Sequence, residues 1–348
     1  MRHPIALSVV LLFAVGCRQP VQVATSGCLQ TNSAIQVSPS ADHTAAAVTA
    51  TPLPGQSHFC QGKIALIDVD GLLLNRNMTG FNSMGENPVA LFHEKIEAAA
   101  ADPDVRAVVL RINSPGGGVT ASDIMRRDLE DFKTRKRVPV VAFLMDVGAG
   151  GAYYLATAAD AIVAQPTTIT GGIGVILNLY NLQDTMAQFN VVGVPIKVGE
   201  NIDLGSPVKA MTPKSRALLQ HVADEFFTRF RQAVVASRPL AAPPPPEIFD
   251  GRIFAAGEAM TLKLVDSIGY LDDAVTLARG LAHVDHRAGL VMFRRANDRT
   301  LSPYDITPNI PLQHALMPIS LPGLDRSQLP TFLYLWQPDP LLEKTGGN

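Results

Sequence analysis

Three short apolar runs that each end in a cluster of glycines constrain the fold of this chain more than any other feature. They cover residues 106–118, 138–151 and 162–174. Apolar runs of this length, separated by helical patterns, are typical of buried parallel strands. The ends of such strands open into loops that commonly carry binding or catalytic groups. The stretch 106–176 therefore predicts both the sheet and the functional site of an α/β protein.

Strand and helix patterns alternate along the folded region, which favours a parallel sheet with helical crossovers. A further helix begins near Ala256, and residues 264–270 predict a strand followed by a turn. The other predicted strands cover 63–71, 106–112, 139–144, 161–164 and 191–198, and the predicted helices cover 88–101, 121–134, 151–159, 212–238 and 272–282.

The N-terminus has the pattern of an export signal. An apolar run, Ile5–Val15, follows Arg2 and is shorter than the ~20 residues of an ordinary membrane span. Small residues followed by Cys17 resemble a bacterial lipobox, in which the cysteine carries the lipid. This favours an exported lipoprotein anchored on the periplasmic or cell-surface side. The alternative is a secretory peptide cleaved elsewhere, with Cys17 incidental.

Composition divides the rest of the chain. Residues 18–61 are rich in Ser, Thr, Ala, Pro and Gln and predict a flexible tether. Residues 62–295 predict the folded domain. Residues 296–348 form a proline-rich tail without a regular apolar period, which predicts a segment that is partly disordered or docked on a neighbour.

Charge and cysteine content exclude several classes of protein. The net charge is −2 and no long Lys/Arg cluster occurs, so nucleic-acid binding is not expected. Besides Cys17 only Cys28 and Cys60 remain. Both lie outside the glycine-rich stretch, and they either pair or stay free. No histidine pair has the spacing of a metalloprotease motif. His283 and His286 could contact a metal, but a solvated turn is favoured, so no metal or cofactor is expected.

The order of the motifs resembles the signal peptide peptidase A family of bacterial serine peptidases, over about Lys63 to Val284. The resemblance implies a Clp-protease/crotonase-like α/β fold with ββα units, a parallel sheet and helical crossovers. It also implies peptide substrates and a ring-shaped oligomer. The motifs are Asn113–Gly117, Gly150–Tyr154, Thr168–Val175, Asp203–Pro207, Met211–Thr212, Gly251–Arg252 and Leu264–Asp266.

In that family the Pro-Gly-Gly turn offers backbone N–H groups to an oxyanion. Gly116 and Gly117 match this turn, and Gly151 follows the nucleophile position. Glycines let a substrate carbonyl approach the backbone closely, and a following helix N-terminus favours negative charge. The alternative is a plain turn between a strand and a helix.

The reacting groups of the family pattern are missing. Gly150 stands where the family has its nucleophilic serine, and Ile202 stands where it has its catalytic lysine. Gly172 replaces a polar serine beside the lysine. The sequence therefore predicts a non-catalytic member that binds peptides or scaffolds an oligomer, either of itself or as a mixed ring with an active paralogue.

Two alternatives stay open. One is an active serine endopeptidase of signal or membrane-derived peptides, using Ser114, Ser122 or Ser206 with Lys197 or Lys209. The other is an acyl-thioester-binding crotonase-like enzyme, against which export as a lipoprotein argues, because that chemistry uses cytosolic substrates.

Overall fold

The computed structural model describes residues 47–53, 62–77, 86–285, 288–295, 302–304 and 332–336. All of them belong to the second of two compact units of the chain, Ala46–Asn348. The predicted signal peptide, with Cys17, and the cysteines Cys28 and Cys60 lie outside the described residues.

A largely parallel sheet with helices between its strands forms the domain, as predicted for an α/β fold. The strand order is β1-β9-β2-β3-β4-β5-β8, with β10 paired to β3, and β6 paired to β4 and β7. The strands are β1 (Val48–Pro52), β2 (Lys63–Leu73), β3 (Val105–Gly118), β4 (Val140–Ala149), β5 (Ala161–Ala164), β6 (Ile169–Gly171), β7 (Ile253–Ala255), β8 (Ser267–Ile268), β9 (Gly289–Arg295) and β10 (Leu333–Leu335). The helices are α1 (Pro88–Ala101), α2 (Val119–Lys136), α3 (Gly151–Ala156), α4 (Gln183–Gln188), α5 (Pro213–Ser237), α6 (Ala256–Thr261) and α7 (Leu271–Leu281), with a 3₁₀ turn at Pro246–Phe249.

The central strands are apolar because both of their faces are covered. Along β2, Ala65 and Ile67 pack into one apolar cluster and Ile64 and Leu66 pack into another. The first cluster contains α1, α2, α3 and α5, whereas the second contains α7. Helices α1, α2 and α3 each connect two neighbouring parallel strands, so the predicted crossovers are confirmed.

Helix α1 has the predicted bounds because its start is well capped. The Asn87 side chain accepts hydrogen bonds from the backbone N–H groups of Val89 and Ala90, at 3.0 and 3.3 Å, and Pro88 occupies the first turn. Among the described residues, no helix combines the length and the apolarity that crossing a membrane requires.

Two predicted irregular segments contain strands. Within the predicted tether, β1 pairs antiparallel with β9, and within the predicted tail, β10 pairs antiparallel with the end of β3. Both pairings join residues that are far apart in the sequence, such as Val48 with Arg295 and Leu333 with Gly118, and local composition does not report such contacts. The folded domain therefore begins before residue 62 and includes part of the tail.

One predicted strand is absent, and the predicted end of β3 was wrong. No strand forms at Val191–Val198, where Val194 and Ile196 are 80% and 101% exposed, because the segment pairs with no described strand. Strand β3 does not turn at Ser114 but continues to Gly118. An irregularity between Ile112 and Ser114 shifts its register against β4 and extends the strand.

A buried ion pair connects β2 to α1. The Lys95 ammonium lies 2.8 Å from the Asp68 carboxylate, and both side chains are almost fully buried. Asp70 lies beside this pair. Burial and then the charge of Asp68 raise the pKa of the Asp70 carboxyl to about 6.

We expect Asp70→Asn to be more stabilising, relative to the wild type, at pH 8 than at pH 4. The pKa of Asp70 is higher in the folded chain, so stability falls as pH rises from the unfolded value of 3.8 through about 6. Asparagine cannot ionise, and the variant should gain on the order of 2–3 kcal/mol at pH 8 relative to pH 4. Urea unfolding at both pH values measures this gain. Asp184→Asn, at an exposed position, is the control. If Asp70→Asn and the wild type differ in unfolding free energy by the same amount at both pH values, the raised pKa of Asp70 is contradicted.

Candidate active site and peptide groove

The three glycine clusters meet at one edge of the sheet. Strand β3 pairs with β4 through Ser114 and Gly148, and β4 pairs with β6 through Ala149 and Gly171. The Gly150 N–H donates to the Gly171 carbonyl at 2.9 Å. The ends of β3, β4 and β6 therefore form one surface, as the sequence predicted.

Gly150 occupies a sharp turn between β4 and α3. Its φ of 54° and ψ of −126° lie in a region that residues with a side chain rarely adopt. A Cβ atom at this position would lie 2.4 Å from the Tyr334 carbonyl oxygen and 3.0 Å from the Pro115 carbonyl oxygen. The position that matches the family nucleophile has no side chain, and its space is filled by backbone.

The glycines predicted to surround an oxyanion lie around the Tyr334 carbonyl. A Cβ on Gly116 would be 2.1 Å from the Tyr334 oxygen and 2.6 Å from the Gly151 nitrogen, and one on Gly151 would be 3.3 Å from the Tyr334 oxygen. Gly117 packs against β2, where a Cβ would lie 2.1 Å from the Leu73 oxygen. The structure thus brings Gly116, Gly117 and Gly151 together.

The carbonyl belongs to β10, which lies in a groove between two backbone edges. On one side the Val119 N–H donates to the Phe332 carbonyl at 3.2 Å, and the Trp336 N–H donates to the Pro115 carbonyl at 3.1 Å. On the other side Leu333 and Ile176 exchange two hydrogen bonds of 2.9 and 3.0 Å. This is the geometry in which a peptide adds a strand to a sheet.

The register of β10 aligns the Tyr334 carbonyl with a predicted oxyanion donor. Leu333, Tyr334 and Leu335 lie opposite Gly118, Gly117 and Gly116. Hydrogen-bonded pairs alternate along an antiparallel ladder. Because the flanking pairs at Phe332 and Trp336 are bonded, the alternation makes the Gly117 N–H the partner of the Tyr334 carbonyl.

The Tyr334 side chain fills an aromatic pocket beneath the groove. It is fully buried, with ring centroids 5.3 Å from Tyr154 and 4.7 Å from Phe230. Its hydroxyl donates to the Phe226 carbonyl at 2.6 Å. Burial raises the pKa of the Tyr334 hydroxyl, so the group is a neutral donor. Two residues away, Phe332 packs edge-on against Phe226 at 5.3 Å.

A polar cluster holds the wall of this pocket. The Tyr154 hydroxyl donates to Asp123 at 2.8 Å, and the Arg229 guanidinium donates to both Asp123 oxygens at 2.9 and 3.0 Å. Arg126 lies over the Tyr154 ring at 5.2 Å. These contacts connect α2, α3 and α5, so the pocket is shaped by three helices rather than by a loop.

The position of the family lysine lies at the surface. Ile202 is 73% exposed and provides no amine. The nearby Lys197 and Lys209 each place their amine 2.7 Å from Asp203 Oδ1. Hydrogen bonds from Lys197 and then Lys209 lower the pKa of Asp203 to about 2. Both amines are thus held as ion-pair partners of Asp203.

The hydroxyls of the alternative serine nucleophiles form hydrogen bonds with the backbone. Ser114 Oγ accepts from the Gly116 N–H at 3.1 Å, and Ser122 Oγ donates to the Gly118 carbonyl at 3.0 Å. Ser206 Oγ accepts weakly from the Val208 N–H at 3.4 Å. Within the part of the chain that the structure describes, no hydrogen bond joins these hydroxyls to Lys197 or Lys209.

The sequence analysis did not predict that the residues of β10 lie in the candidate site. A signal was present, because Phe332–Trp336 is a short, continuous apolar run rich in aromatic residues. A run of this kind is consistent with a buried strand, but the surrounding prolines obscured it.

The chain is similar to known peptidases over part of its length. Residues 132–285 match the family described as Peptidase family S49. The chain is 31% identical over 230 residues to Protease 4 of Salmonella typhi, covering 65% of this chain and 36% of that protein. It is 28% identical over 213 residues to the putative signal peptide peptidase SppA of Enterococcus faecium, covering 61% and 62%.

Solved structures that overlap with this chain include two mutants of the 1510-N membrane-bound stomatin-specific protease. A mutant with alanine in place of a serine overlaps with a TM-score of 0.40 at 12% identity, over 72% of this chain and 97% of that one. A mutant with alanine in place of a lysine, solved in complex with a substrate peptide, overlaps with a TM-score of 0.37 at 15% identity, over 62% and 80%.

The sheet and its helical crossovers define an α/β protein with a glycine-lined groove at the ends of its central strands. Residues 132–285 match peptidase family S49, and the predicted resemblance to signal peptide peptidase A is confirmed. The chain spans about a third to two thirds of the length of these curated relatives.

Proposed function

We propose that this protein is a non-catalytic member of its family that binds extended peptide segments along Gly116–Gly118. One observation carries the proposal. At Gly150 the space of a nucleophile is filled by a backbone carbonyl, while an extended strand lies in the groove with backbone hydrogen bonds on both sides. The groove thus retains a peptide-binding geometry without a group that attacks a carbonyl.

Peptide hydrolysis by this family pattern needs a nucleophile, a base and oxyanion donors. The donors are in place, whereas Gly150 and Ile202 occupy the other two positions. An enzyme that loses its catalytic residues retains only ~10³–10⁴-fold acceleration over water. The alternative of an active endopeptidase is less well supported, since Ser114, Ser122 and Ser206 bond to backbone.

The purified wild-type chain should neither hydrolyse casein or a signal peptide nor react with a fluorophosphonate probe. Tyr334→Ala in the full chain removes the buried ring of β10, and this variant should bind a labelled synthetic peptide with the sequence of residues 331–337. Fluorescence anisotropy measures binding, and an active peptidase of the family is the control for hydrolysis. Cleavage or serine labelling by the wild type would contradict inactivity. No peptide binding by either chain would contradict the binding function.

The proposal includes a lipid anchor at Cys17, on the exported side of a membrane. It is supported by the small residues before Cys17 and the short apolar run. In a bacterial host, labelled palmitate should be incorporated into the wild type and lost in Cys17→Ser, while Cys28→Ser remains labelled. Equal labelling of Cys17→Ser and the wild type would exclude this anchor.

The proposal also includes assembly, as a homo-oligomer or as a mixed ring with an active paralogue. The segment 189–198 supports it, because it exposes a run of large apolar side chains that a lone chain leaves in water. Sedimentation should show an oligomer that the double variant Val194→Asp, Ile196→Asp weakens. Met260→Asp is the control, as an exposed apolar residue elsewhere. If the wild type sediments as a monomer both by itself and when mixed with the paralogue, this part of the proposal is overturned.

A further inference from the structure

Resting on the proposed function, we propose that the groove's resident ligand is the chain's own strand Phe332–Trp336, and that Gly150 is the residue that admits it. The missing nucleophile then has a second consequence besides the loss of chemistry. It makes room for a backbone carbonyl, so the site retains a strand that it cannot cut. An outside peptide binds only by displacing that strand.

The steric argument rests on Gly150. A Cβ atom there would stand 2.4 Å from the Tyr334 oxygen and 2.9 Å from the Tyr334 carbonyl carbon. Non-bonded heavy atoms reach their optimal separation only at about 3.5–4.0 Å. Both clashing atoms are backbone, so no side-chain rotation relieves the contact. With any side chain at position 150, the strand has to rise out of the groove.

The neighbouring glycines allow the same close approach. Gly116 approaches the Tyr334 carbonyl from the other side, where a Cβ would lie 2.1 Å away. Gly172, which replaces a polar residue of the family pattern, lies close to the next aromatic of the strand, since a Cβ on it would be 3.3 Å from the Trp336 Cβ. The depth at which β10 lies therefore depends on several positions without side chains.

The strand also defines the ligand that would compete with it. Phe332 and Tyr334 are two residues apart and point to the same face of β10. Tyr334 is fully buried among aromatic rings, and the Phe226 carbonyl accepts a hydrogen bond from its hydroxyl, whereas Phe332 is only half-buried. The chemistry selects an extended peptide with a tyrosine at the buried position and an aromatic residue two positions before it.

Tethering favours the strand over such a peptide. Residues 332–336 belong to the same chain as the groove, so binding of the strand is intramolecular and its effective concentration does not fall when the protein is diluted. A free peptide at lower concentration competes poorly even with identical contacts. Occupancy by the chain's own strand is then the ground state of the site.

The test uses the position of the single tryptophan. Trp336 is the one Trp in the chain and is half-buried in the groove, so its emission and acrylamide quenching report on the strand. In full-length Gly150→Ser, the emission should shift to the red and quenching should rise toward that of the urea-unfolded chain. Hydrogen exchange should lose protection at Leu333 and Trp336, whose amides bond to Ile176 and Pro115 in the wild type.

A matched control separates steric exclusion from backbone strain. Gly251 also has a positive φ, +85°, but a Cβ there would meet nothing within 4 Å. Gly251→Ser should therefore leave the Trp336 emission and the protection of residues 332–336 as in the wild type. Exposure of Trp336 in both variants, or in neither, would overturn the role of Gly150.

A second pair of variants acts on the strand, in case Gly150→Ser fails to fold. Tyr334→Ala should expose Trp336, because the pocket loses its aromatic ring, while Tyr334→Phe keeps the ring and should keep Trp336 protected. The peptide of residues 331–337 should bind at least about tenfold more tightly to Tyr334→Ala than to the wild type, because the open groove no longer has to release its own strand.

The remaining outcomes distinguish this inference from the proposed function. If the wild type binds the peptide as tightly as Tyr334→Ala, the groove binds peptides but the chain's own strand does not occupy it, and only the inference fails. If no variant binds peptide, the proposed function fails as well. Protection of Trp336 that grows with protein concentration would indicate a strand from a second copy and would overturn the intramolecular assignment.

Discussion

The close approach of one carbonyl group to three glycines is the constraint on which the site depends. The Tyr334 oxygen lies where side chains on Gly116 and Gly150 would begin and close to where one on Gly151 would begin. Glycine is needed at Gly150 and Gly116 for a second reason, since both have positive φ. The backbone conformation and the close approach of the carbonyl thus require glycine at the same two positions. The groove accommodates a deeply bound strand because Gly150 has no side chain to meet it.

The fold does not depend on that chemistry. The two apolar clusters on either side of the sheet contain none of the family's reacting positions, and the pocket wall is held by the contacts of Asp123 with Tyr154 and Arg229. Function in such a fold resides in a few residues at the strand ends. On the proposed function, glycine at position 150 and isoleucine at position 202 are compatible with an intact sheet and helices. A scaffold of this kind can change from cleaving a peptide to holding one.

The parts of this structure that sequence predicts are those fixed by local pattern. Strands β3, β4 and β5 are recognisable because both of their faces are buried, which makes their sequences continuously apolar. The glycine clusters mark the site because only glycine fits the turn at Gly150. The alternation at Val191–Val198 is misleading, because a strand needs a partner and the described structure provides none there. Pairings of β1 with β9 and of β10 with β3 depend on contacts across most of the chain.

The position of β10 changes how ligand affinity in this groove should be understood. A ligand binds only to the fraction of molecules whose groove is open, so the apparent dissociation constant is the intrinsic one divided by that fraction. Burying an aromatic side chain contributes about 1.5–3 kcal/mol, and each net hydrogen bond adds about 1 kcal/mol. After the cost of ordering the strand, a net preference of about 3 kcal/mol would still keep the groove open in fewer than about 1% of molecules. Weak binding by the intact chain is therefore what this structure implies even for a well-matched peptide. Any partner that pulls on the tail, which contains β10, would raise the affinity of the groove without touching it.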